Sequence, residues 1–80
     1  MGKQIGECLH GVILSNGKIA FIVANFEGKI ERIYRSEISP AQSDMVGMPI
    51  DVVVTERLDY YGNPILSNTK AYDRLKAVSD

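Results

Sequence analysis

Apolar and polar positions along this chain alternate with a period of two over most of its length, and that alternation marks short, half-buried strands. The first run covers residues 7–14, where Cys8, Leu9, Val12, Ile13 and Leu14 flank His10 and Gly11. Asn16-Gly17 follows, a pair suited to the positive φ of a tight hairpin turn, and a second run covers 19–24. Asn25-Phe26-Glu27-Gly28 reads as another turn before a third run over 29–34. Alternation then stops. Residues 35–44 read as a short helical turn and a loop, with Ser39 as cap and Pro40 at a first helical position. The fourth run is the clearest, because Ile50, Val52 and Val54 alternate with Asp51, Val53 and Thr55. The chain turns again over 59–63, and Pro64, which has no N–H for a ladder, opens a short fifth strand. Residues 69–78 favour a helix, with Ala71, Leu75 and Val78 spaced for one apolar face.

Five short strands broken after the third predict an all-β fold, a small antiparallel barrel. Strand pattern alone fits an OB-fold and an SH3-like barrel equally. Gly11, Ile13, Ile50, Val52, Val54 and Leu66 are expected in or beside the core, and Phe21 with them. Eighty residues, 45% of them apolar, support one domain and one core. No apolar run approaches the roughly 20 residues that cross a bilayer, so no membrane association is expected. The amino terminus lacks the apolar stretch of a secretory signal, which makes the cytoplasm the expected location.

The chemistry available is limited. A single cysteine, Cys8, excludes an internal disulfide and a cysteine-based zinc site, and it is expected to be buried in its strand. His10 is the only histidine and has no evident partner, and no phosphate-binding glycine loop is present. Catalysis, a metal, a cofactor and a small-molecule substrate are therefore not expected. A net charge of −1 excludes nucleic-acid binding by bulk electrostatics, so any such contact has to come from a local patch and from stacking.

An ordered set of residues goes further. Gly11-Val12-Ile13, then Tyr34-Arg35-Ser36-Glu37-Ile38, then Val46-Gly47, then Asp59, Gly62 and Ile65-Leu66-Ser67 occur in this sequence. The set resembles the S1 RNA-binding domain family. The stretch from Gly47 through Ile50-Asp51-Val52 to Lys70-Ala71 is similar to the amino-terminal repeats of the multi-domain bacterial small-subunit ribosomal protein of that family. The resemblance covers residues 6–71 and implies a five-stranded antiparallel OB-fold barrel, with 69–80 as a carboxy-terminal helix or linker.

It also implies an RNA face across the second and third strands and the loops beside them. Tyr34 stands where the family commonly has histidine, and it can stack a base or remain a half-buried core aromatic. Asp59 matches the family's aspartate, either as a turn former or as an acceptor for a base edge. The aromatic pair of the family's second strand falls at Ile19 and Ile22, and Asn63 replaces the usual basic residue after the turn glycine. Phe26 and one of Tyr60 and Tyr61 are further stacking candidates, the other tyrosine sealing the core. Lys18, Arg32 and Arg35 supply the cations, diluted by Glu27, Glu31 and Glu37. The implied partner is single-stranded RNA, bound weakly. In that family the amino-terminal repeats also serve as anchors to the ribosome, so a protein-docking role is the alternative.

Overall fold

The computed structural model describes residues 4–17 and 20–78, with backbone alone for 75–78. Five strands form one antiparallel sheet: β1 (Cys8–Ser15), β2 (Phe21–Phe26), β3 (Lys29–Tyr34), β4 (Pro49–Leu58) and β5 (Pro64–Ser67), in the order β3-β2-β1-β4-β5. A 3-10 turn, Arg35–Glu37, follows β3, and a helix, α1 (Asn68–Val78), follows β5. The all-β reading holds. The edge strands β3 and β5 approach within 8 Å at their Cα atoms, but no ladder joins them and the sheet is not closed. Register irregularities between Ile13 and Ser15 on β1 and between Val54 and Leu58 on β4 mark where those strands bend.

Alternation places the core. Ile13, Ile22, Ala24, Phe26, Ile33, Ile50, Val52, Val54 and Leu66 are all buried and form one cluster, with Leu9 and Ile38 packed against it. Gly11 lies under Phe26. A Cβ on Gly11 would meet Phe26 Cδ1 at 2.5 Å and the Asn25 carbonyl at 2.6 Å, so the ring occupies the space that a side chain would take. Val53 points to the opposite side of β4 and is buried as well, because α1 packs along that strand with Ala71 at 1% exposure. No helix among the described residues is long and apolar enough to cross a membrane.

Several expectations are corrected. The second strand ends at Phe26, and the turn shrinks to Glu27 (φ 54°) and Gly28 (φ 91°), the two positive angles of a two-residue hairpin. The Asn25 side chain supports that turn by accepting the Gly28 N–H at 2.8 Å. Helical geometry falls at Arg35–Glu37, ahead of Ser39 and Pro40, and α1 begins one residue earlier than predicted, with Ser67 Oγ accepting the Lys70 N–H at 3.1 Å as its cap. Phe21 is half-buried on the outer side of β2, opposite in parity to buried Ile22. Cys8 is exposed rather than buried. His10 does have a partner: its Nδ1 lies 2.6 Å from Asp51 Oδ1 across the β1–β4 ladder. Lys18 and Ile19, and the Leu75 and Val78 side chains, lie outside the described residues.

Candidate functional site

The site is built on the outer face of the β2–β3 hairpin. Its register pairs Phe21 with Tyr34 and Val23 with Arg32, while the inward partners Ile22 and Ile33 are fully buried. Phe21, Arg32 and Tyr34 therefore share one side of the sheet. Arg32 leans over the Phe21 ring, its Cζ 5.2 Å from the ring centre.

The 59–63 turn approaches that face from the β4–β5 connection. Asp59 organises the turn: its carboxylate accepts the Tyr61 and Asn63 N–H groups, each at 2.9 Å, and its backbone exchanges bonds with Asn63 and Gly62. Gly62, at φ 83°, takes the left-handed angle the reversal requires. Of the two readings of Asp59, this geometry is that of the turn former. The turn carries both tyrosines outward, Tyr60 at 94% exposure and Tyr61 at 69%. Neither seals the core, contrary to expectation. Their rings meet edge to face, 5.3 Å apart with an interplanar angle of 88°, and the Tyr61 ring lies 5.9 Å from Arg32 Cζ.

Beside these rings a cleft of about 330 Å³ is lined by Tyr34, Ser36, Glu37, Arg57, Asp59, Tyr60 and Ile65. Sequence reasoning missed Arg57, whose Nη2 donates to Glu37 Oε1 at 2.7 Å on the cleft wall. That bond holds the Glu37 carboxyl below its ordinary range, with Ser67, Arg57's charge and Lys70 acting the same way against the opposing effect of burial. The same pairing raises Arg57. The cleft thus combines two aromatic walls with an internally neutralised ion pair.

Two of the predicted residues sit elsewhere. Phe26 is 5% exposed and belongs to the core, so its ring is not presented for stacking. Arg35 donates through Nη2 to Asn16 Oδ1 and the Gly17 carbonyl, and its Nη1 lies 3.8 Å from Asp44 Oδ2. It ties the end of β1 to the 39–44 loop, away from the cleft. The structure accordingly brings together Tyr34, Asp59, Tyr60, Tyr61 and Arg32, adds Phe21 and Arg57, and leaves Phe26 and Arg35 out. The signal for Phe21 was its parity, opposite to Ile22. For Arg57 it was a basic residue at the end of β4, two positions before Asp59.

No family model matches the chain, and no curated protein is significantly similar to it.

Proposed function

We propose that the chain is an S1-type OB-fold module that binds single-stranded RNA by stacking and acts without catalysis. The observation that carries this reading is the convergence of Phe21, Tyr34, Tyr60 and Tyr61 with Arg32 and Arg57 around one face and cleft. Two adjacent tyrosines held in solvent contribute little to stability, and exposed rings flanked by guanidinium groups suit unstacked bases. A strand order that brings the edges of β3 and β5 near each other, with a helical turn after β3, supports the barrel assignment. The residues of the ordered sequence pattern support the family.

Stacking contributes about 1–3 kcal/mol per base, so binding is weak and favours single strands over duplex. The test is a titration of single-stranded oligonucleotides followed by amide chemical shifts. Tyr34→Ala, kept folded as judged by its melting curve, loses roughly tenfold to a hundredfold in affinity, whereas Tyr34→Phe retains most of it. Unchanged affinity in a folded Tyr34→Ala protein removes Tyr34 from the site and overturns the reading.

A second reading, a barrel that docks on a protein of the translation machinery, is favoured by one observation. Val12, Leu14, Met45, Val46 and Met48 are each more than 40% exposed, an uncovered apolar population on β1 and the loop before β4. Under that reading neither Tyr34 change alters an RNA signal.

A further inference from the structure

We infer that Arg32 is a positioning residue, whose guanidinium plane clamps the Tyr61 ring over the outer face of β2 and β3 instead of contacting phosphate as a free charge. The inference rests on the RNA-binding reading and assigns Arg32 its part in it.

Arg32 lies between two rings from different parts of the chain. Phe21 belongs to the sheet, paired through β2–β3, and its centre is 5.2 Å from Arg32 Cζ. Tyr61 belongs to the 59–63 turn, and its centre is 5.9 Å away. Both distances fall within the roughly 6 Å over which a cation is attracted to a ring face. Asp59 fixes the backbone of that turn by accepting the Tyr61 and Asn63 N–H groups, which leaves the direction of the Tyr61 ring to side-chain contacts. That ring is 69% exposed and touches Tyr60 at its edge, and Arg32 links it to the sheet. A planar, delocalised guanidinium suits this place, because it can lie against two rings at once. The compact ammonium of a lysine keeps the charge but not the plane.

Charge and plane make different predictions. Dissociation constants for single-stranded uridine and adenosine homopolymers, measured across a salt series, compare the wild-type protein with Arg32→Lys, Arg32→Ala, Tyr61→Ala and the Arg32→Lys/Tyr61→Ala double variant. If the clamp operates, Arg32→Ala weakens binding by about two- to fivefold, the factor carried by one cation–π contact at an exposed site. Arg32→Lys, whose ammonium cannot lie against both rings at once, weakens it as well. The salt slope of Arg32→Ala then stays near that of the wild type, and the effect of Arg32→Lys vanishes in the Tyr61→Ala background. In the free protein, Arg32→Lys shifts the Tyr61 ring resonances and the amides of residues 60–63.

Wild-type affinity in Arg32→Lys, together with a salt slope reduced by about one ion in Arg32→Ala, identifies a phosphate contact and overturns the clamp. So does an Arg32→Lys loss that persists undiminished without Tyr61. Failure of the wild-type protein to bind either homopolymer overturns the RNA reading instead. The free-protein resonances then decide the clamp separately, since unmoved Tyr61 signals in Arg32→Lys refute it and moved signals retain it for another ligand.

Discussion

Asn68 is wholly buried at the start of α1 and joins three segments of the chain. Its Oδ1 accepts the Ser39 N–H at 2.9 Å, and its Nδ2 donates to the Asp51 carbonyl at 2.7 Å and to Gln42 Oε1 at 3.2 Å. Next to it, Thr69 Oγ1 donates to the Glu37 carbonyl at 3.2 Å. The start of the helix thus pins the 37–42 corner that follows Tyr34 and holds it against β4. Truncation in Asn68→Ala removes the three bonds of its own side chain and deprives a backbone donor at Ser39 and a backbone acceptor at Asp51 of that partner. Each unsatisfied group costs about 1–3 kcal/mol, and the half-buried setting of Ser39 and Asp51 favours the lower half of that range. Asn68→Ala is therefore expected to lose about 2–4 kcal/mol.

For a domain of this size that loss lowers Tm by roughly 10–30 °C, a large share of a total stability of about 5–15 kcal/mol. Urea unfolding followed by circular dichroism measures it, as a fall in the midpoint at unchanged slope. Asn68→Asp sharpens the test because it keeps the size and the acceptor toward Ser39. Its carboxylate has no hydrogen to give Asp51 or Gln42 and faces both acceptors, so the charged form is disfavoured in the folded state. Its stability deficit relative to the wild type should narrow as pH falls and the carboxyl gains a proton. An Asn68→Ala protein within 0.5 kcal/mol of the wild type would refute the three-way bridge, since changes outside such features typically stay within about that margin.

Gly11→Ala should cost about 1–3 kcal/mol in the same unfolding assay, because the added methyl meets the Phe26 ring at 2.5 Å and the backbone carbonyl of Asn25 at 2.6 Å. A neutral Gly11→Ala would mean that β1 and β2 separate at little cost there. The Glu37 carboxyl, held below its ordinary value of 4.5 chiefly by the Arg57 hydrogen bond, contributes stability that is present above that pH and lost as pH falls through the lowered value. Glu37→Gln should be less stable than the wild type at neutral pH and should lose less on acidification, as read from melting temperatures between pH 7 and about pH 3. Parallel acid profiles for the two proteins would exclude Glu37 as a source of the dependence.

The strand plan was legible because burial on one face imposes a period of two. Ile13 on β1, Ile50, Val52 and Val54 on β4, and Leu66 on β5 all fall where alternation put them. On β2 the parity was reversed: Ile22, expected at a position of the RNA face, is buried with Ala24, and Phe21, expected in the core, faces outward. The errors arose where a distant segment decides the outcome. Phe26 looked like part of a four-residue turn because Asn25 and Gly28 both favour turns. Its position in the core depends on Gly11 across the β1–β2 ladder, which offers no side chain and leaves room for the ring. Cys8 and Phe21 look apolar enough for a core, yet both sit on the outward parity of their strands. Parity against Ile13 and Ile22 marks both as outward, and the pairing register fixes it. Val53 is the reverse case, an outward residue that is buried because α1 covers it.

The candidate site divides along the same line. Tyr34 and Asp59 were singled out by the family resemblance, and Tyr60, Tyr61 and Arg32 by short-range features, a repeated residue type beside a turn and a basic residue on the third strand. Arg57 and the stack of Phe21, Arg32 and Tyr61 depend on β3 meeting the 59–63 turn in space, and no spacing along the chain announces such a meeting. That assembly also bears on the charge. With nine basic residues against ten acidic ones, the chain has no excess of cations to offer a phosphate backbone. Two cations beside the cleft are, in addition, already engaged: Arg57 by Glu37, Arg32 by two rings. Under the RNA-binding proposal, this face would therefore draw on ring surface more than on ion release. The expected outcome under that proposal is a shallow salt dependence together with low affinity, read from dissociation constants across a salt series.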